Sequence, residues 1–111
     1  MIGRTKLESI ELDDDVKPEN AHVARTVVED VEGEELEILR HSLPYGDGKG
    51  EQGLFFIAYT KDLSRIDQML LRMFGTSGDG IHDRLLHFVT AVDGSYYFAP
   101  SEDLLEEVLE E

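Results

Sequence analysis

Residues 54–60, LFFIAYT, are apolar on both of their alternating faces. Successive side chains of a β-strand point to opposite sides of the sheet, so a strand with no polar face needs cover from two directions. The segment therefore predicts a central strand whose burial anchors the domain. In 111 residues there is room for one modest core, which buries about 60–65% of the unfolded surface. A chain of this size supplies those layers itself or docks onto something that does.

The flanking sequence predicts the other elements. HVARTVV and ELEILRHS read as two strands joined by EDVEGEE, with Gly33 free to take a positive φ. LPYGDGKGEQG carries four glycines and a proline and reads as a loop long enough to lie over a site. A helix is expected from Asp62 or Ser64 onward, with Leu63, Ile66, Met69, Leu70 and Met73 on its core face and Gly75 as its stop. TSGDG breaks the chain, IHDRLLHF follows as a short helix or turn, and GSYYFAP as a further strand. Ser101 caps a closing helix, EDLLEEVLEE, with Leu104, Leu105, Val108 and Leu109 on one face. Residues 7–20, acidic and interrupted by Pro18, read as an extended arm. The order predicts an α+β chain, helices on one face of an antiparallel sheet.

Composition excludes several functions. Twenty-five acidic residues against ten basic give a net charge of −15, which repels phosphate backbones and anionic membranes. Neither a nucleic-acid nor a membrane partner is expected. Without cysteine there is no disulfide, thiolate metal site or cysteine nucleophile, and no apolar run is long enough to span a bilayer. A cytoplasmic chain is expected. His82 and His87 are five apart and no H-x-x-x-H pair occurs, so zinc is not indicated. Nucleophile-elbow, phosphate-loop and dinucleotide motifs are all missing.

Two residues stand out. On ELEILRHS, period-two alternation groups Leu36, Ile38, Arg40 and Ser42 on one face, which begins apolar and ends in a guanidinium and a hydroxyl. That places Arg40 at the rim of a pocket, where a cation needs an anionic partner. The partner is either one of the chain's many carboxylates or a ligand, and composition leaves both open. His22, at the junction of the acidic arm and the first expected strand, either faces a cavity or is an ordinary hydrogen-bonded histidine.

Seven blocks read together narrow the choice: IGRTK, AHVART, ILRHSLPYG, GLFFIAY, MLLRMFG, HDRLLHF and GSYYFAPS. Their order and spacing resemble the C-terminal part of the dye-decolourising (Dyp-type) haem peroxidases, in the bacterial subgroup with compact sequences. The resemblance implies the C-terminal half of a two-domain peroxidase fold, a ferredoxin-like antiparallel sheet with helices on one face. Residues 1–20 are then an acidic arm or linker carrying Arg4, and residues 21–111 the C-terminal haem-peroxidase domain, with the N-terminal domain absent.

The same resemblance implies a site around haem b (iron protoporphyrin IX). By it, His22 matches the proximal iron ligand and Asp83 the carboxylate that accepts its other ring proton. Arg40 matches the distal arginine facing peroxide, Ser42 the residue beside it, and Arg4 an arginine near the haem propionates. The implied partners are hydrogen peroxide, small organic reductants such as dyes or phenols, and either further copies of the chain or a missing N-terminal half. The family's distal aspartate, in a GxxDG block, has no counterpart here. The alternatives are a non-catalytic α+β interaction or dimerisation domain and a haem-binding or iron-handling fragment.

Overall fold

A computed structural model describes residues 1–110; Glu111, the last residue of the expected closing helix, lies outside them. The described chain is α+β. In order it forms helix α1 (His22–Arg25), strands β1 (Leu39–Gly46) and β2 (Gln52–Tyr59), helix α2 (Leu63–Met73), a 3-10 turn (Arg84–His87) and helix α3 (Glu102–Leu109). The sheet among the described residues is a two-stranded antiparallel hairpin.

The helices form where local signals agree. α2 starts at Asp62, whose side chain accepts from the Ser64 N–H at 2.9 Å, and stops before Gly75, at φ +72°. Ile66 and Met69 from its apolar face are buried, and with Ala21 and Val28 they make the core between α1 and α2. Leu70 and Met73 are half-buried, while Leu63 is exposed. α3 starts at Ser101, whose Oγ accepts from the Leu104 N–H at 3.2 Å.

The strands depart from expectation because strand patterns need partners. HVARTVV is not a strand: its first half is α1, whose leading N–H groups, on His22 and Val23, donate to the Met1 and Ile2 carbonyls at 2.9 and 3.0 Å. Its second half meets ELEILRHS without a ladder: the Leu36 N–H donates to the Val28 carbonyl at 2.7 Å, beside an isolated bridge between Glu29 and Glu35, around Gly33 at φ +84°. LPYG belongs to β1 rather than to a loop, since Pro44 sits on an edge strand, where a missing N–H is tolerated. The remaining turn, residues 47–51, is exposed and is closed by Asp47, whose Oδ1 accepts from the Lys49 and Gly50 N–H groups at 2.9 and 2.6 Å. It covers no site among the described residues. GSYYFAP is not a strand either.

LFFIAYT does form a strand, but it is not a buried one. In β2, Leu54, Phe55, Phe56, Ile57 and Tyr59 are all exposed. The whole chain exposes 9276 Å², against about 6,200 Å² for a compact folded monomer of its mass. Its radius of gyration is 16.9 Å, where about 13 Å suits a compact chain of this length.

The first twenty residues are mostly exposed, yet their beginning is built into the fold. Gly3 is buried at φ +96°, and a Cβ there would meet Val23 Cγ2 at 2.5 Å. A larger residue would push this segment off α1.

Candidate functional site

The site grows from the ends of two helices. α1 carries His22 at its first position, and its half-buried ring Nδ1–H donates to Asp83 Oδ2 at 2.6 Å. Asp83 is fully buried. Its backbone N–H donates to the Met73 carbonyl at 2.8 Å, at the end of α2, while its Oδ1 accepts from the Leu85 N–H at 2.8 Å. Next in the chain, the Arg84 N–H donates to the Asn20 carbonyl at 2.8 Å. Backbone bonds on both sides therefore hold the carboxyl, and the carboxyl holds the imidazole. With Nδ1 engaged, the ring's remaining lone pair is on Nε2.

Arg40 lies on β1, opposite Ala58, and Ser42 lies on the same face opposite Phe56. The Arg40 guanidinium turns toward the core: Nη1 donates to the Thr26 carbonyl at 3.1 Å and to Met69 Sδ at 3.3 Å. Thr26 is the residue that ends α1, so Arg40 reaches the helix that carries His22. Both contacts are to neutral acceptors. Arg40 also lines an open groove with Thr26 and residues 35–39, the carboxylates Glu35 and Glu37 among them. Ser42 is exposed on the hairpin.

Arg4 stands apart. It is exposed, and its Nε donates to the Ser9 carbonyl at 2.7 Å and to Ser9 Oγ at 3.1 Å, inside the small loop that the Arg4–Glu11 bridge closes. Of the five expected site residues, the structure joins His22 to Asp83 directly and leaves Arg40, Ser42 and Arg4 exposed, Arg40 alone of these three reaching α1.

Sequence reasoning missed Arg25 and Asp79. Arg25 is buried, and its Nη2 donates to Asp79 Oδ2 at 2.7 Å. Asp79 sits in TSGDG, which reads as no more than a chain break. Its carboxyl is held below the usual carboxylate range, chiefly by the Ile81 backbone N–H and then by the Arg25 guanidinium. The signal was the spacing of His22 and Arg25. Three residues apart, they share a helix face but fall on opposite faces of a strand.

The family model for the C-terminal part of Dyp-type peroxidases matches residues 1–104. A dye-decolorizing peroxidase of Mycolicibacterium paratuberculosis is 49% identical over 108 residues, 96% of this chain and 30% of its own length. A DypB variant from Rhodococcus jostii RHA1, solved in complex with haem, is 47% identical with a TM-score of 0.85, over 95% of this chain and 34% of that one. A dye-decolorizing protein from V. cholerae is 48% identical with a TM-score of 0.83, over 96% and 34%. The chain thus spans about a third of the length of the relatives it matches. With the family model covering all but its last seven residues, the chain belongs to the Dyp-type peroxidase family, to the C-terminal part of that fold.

Proposed function

We propose that this chain supplies the proximal histidine and the distal arginine of a haem b-dependent peroxidase that uses hydrogen peroxide to oxidise small organic donors such as dyes or phenols. The observation that carries the reading is the 2.6 Å bond between His22 Nδ1 and the buried Asp83. That bond fixes one tautomer, aims Nε2 away from the carboxyl and makes the imidazole a stronger electron donor. A single imidazole suffices as protein ligand only for a metal that brings its other ligands with it. Among the described residues no group of three or more histidines and carboxylates is placed to cage a bare ion. The donor set therefore fits an iron porphyrin. When bound, haem would supply the redox chemistry, giving two electrons to peroxide and recovering them one at a time from organic donors.

The chain's own residues have simpler tasks. His22 binds through Nε2, and Asp83 keeps the proton on Nδ1. Arg40 offers a permanent cation as counter-charge to a peroxide anion, since its present contacts are to neutral acceptors. Ser42, two residues along on the same face, can hold a water or peroxide by its hydroxyl. Arg4 can pair bidentately with a propionate, giving up its bonds to Ser9. Residues 21–111 then act as the haem domain and residues 1–20 as its arm. A further polypeptide half or further copies of the chain complete the pocket, in the cytoplasm.

Haemin titration of the purified chain, followed through the Soret band, tests the reading. A saturable ferric spectrum that His22→Ala abolishes is expected. Spectra indistinguishable between the chain and His22→Ala, also after addition of the complementary part of a relative, overturn it. The exposed apolar hairpin would then favour a non-catalytic docking domain.

A further inference from the structure

We infer that Arg25, working with Asp79 and Arg72, is a positioning residue that sets the orientation of the His22 imidazole; the inference rests on the reading of His22 as the haem ligand.

α1 is a single turn of four residues with no side-chain cap, too short to persist on local bonds alone. Its leading N–H groups are satisfied by Met1 and Ile2. Its trailing carbonyls are satisfied from α2. Arg72 Nη2 donates to the Ala24 carbonyl at 2.9 Å and Arg72 Nε to the Arg25 carbonyl at 3.3 Å. In return, Arg25 Nε donates to the Arg72 carbonyl at 3.0 Å. Arg72 thus fills two carbonyls that α1 leaves open at its C-terminal end, and Arg25 adds a donor to the Arg72 carbonyl, which the Gly75 N–H reaches only at 3.4 Å.

The second guanidinium arm of Arg25 does separate work. Its Nη2 bonds Asp79, so α1 is tied to one short segment twice, by Arg25 to Asp79 and by His22 to Asp83. The two anchors on the helix lie one turn apart, and the two on the segment are four residues apart. Asp83 is itself fixed to the end of α2 through Met73. With both ties made, α1 cannot rotate about its axis without breaking one. A bond of 2.6 Å tolerates little such rotation before donor and acceptor part. Only an arginine fork serves Arg72 and Asp79 together, because a lysine has one point of charge.

The test reads the imidazole in the 111-residue chain without haem. Long-range 1H–15N correlations from the ring carbons report the ratio of the Nδ1–H to the Nε2–H tautomer of His22. The native chain is expected to favour Nδ1–H by roughly tenfold or more, as a charge-assisted bond would. Arg25→Gln and Asp79→Asn are each expected to lower that ratio at least about threefold, with Arg25→Lys recovering part of it. Ile66→Val, which loosens the core from the α2 side, should lower the unfolding midpoint and leave the ratio unchanged. Asp79→Asn decides the matter if Arg25→Gln does not fold, since Asp79 is the more exposed partner.

An unchanged ratio in Asp79→Asn, with or without a lower unfolding midpoint, overturns the inference and leaves the ion pair as scaffold. Haemin binding is scored separately. A ratio that falls as expected supports the positioning role even where His22→Ala leaves haemin binding intact, and that second result overturns only the functional reading.

Discussion

Two carboxylates and a phenol show how single residues tune this chain. Asp79 has its folded pKa depressed by the Ile81 N–H and by Arg25. The stability it lends is therefore complete above the ordinary carboxylate pKa and is lost as pH falls through the folded one. Urea midpoints of the native chain and Asp79→Asn should differ at neutral pH and converge as pH falls from about 5 to about 2. Tyr96 has the opposite sign. Its O–H donates to Asp67 Oδ1 at 3.0 Å, and that bond raises its pKa. Its contribution is present below the ordinary tyrosine pKa of about 10 and lost as pH rises through the folded value. Asp67→Asn should bring the phenol titration, read by ultraviolet absorbance, to lower pH. At this scale the resemblance pointed to His22, Asp83 and Arg40, and the structure bonds the first two to each other. Arg25 and Asp79 stayed hidden, because their pairing spans 54 positions and follows from α1 being a helix.

The elements differ in how far their causes are local. α2 and α3 carry their caps within three residues of their first turns, so both starts were readable. Ser101→Ala should cost about 1 kcal/mol of α3 stability. Because α3 buries none of its residues, the loss should appear as lower far-ultraviolet helicity while the His22–Asp83 pair is unaffected. Gly75→Ala should cost more. At φ +72° a Cβ costs about 1–2 kcal/mol in backbone conformation, and here it would also stand 2.9 Å from the His82 ring. His82 directly precedes Asp83, so this substitution should lower both the unfolding midpoint and the haemin affinity. Strands were harder to read. GSYYFAP and HVARTVV have strand-like composition, but a ladder requires a neighbouring edge, and no sequence pattern guarantees one.

At the scale of the molecule, exposed apolar side chains run from the first segment to α3, and the hairpin carries one continuous set of them. Both faces of β2 are apolar and open, and β1 adds Leu39, Leu43 and Tyr45. Such a patch predicts concentration-dependent association and dye binding by the isolated chain. Phe55→Lys with Ile57→Lys should reduce both, as sedimentation and anilinonaphthalene fluorescence would show. These residues are exposed, so the chain's own unfolding midpoint should shift little, by about 0.5 kcal/mol or less per site.

The sequence by itself determined the elements with local causes: two capped helices, the glycine that stops α2, the two-sided apolar strand and the α+β class. Through its ordered blocks it also determined the family. Only the tertiary structure decided which segments pair, that His22 opens a helix rather than a strand, and that Arg25 is buried against Asp79. Caps and turns are set by neighbours a few residues away, whereas pairing and burial depend on what the folded chain brings alongside. The two-sided strand shows the limit most plainly: its composition records that cover is required, and among the described residues both of its faces stay exposed.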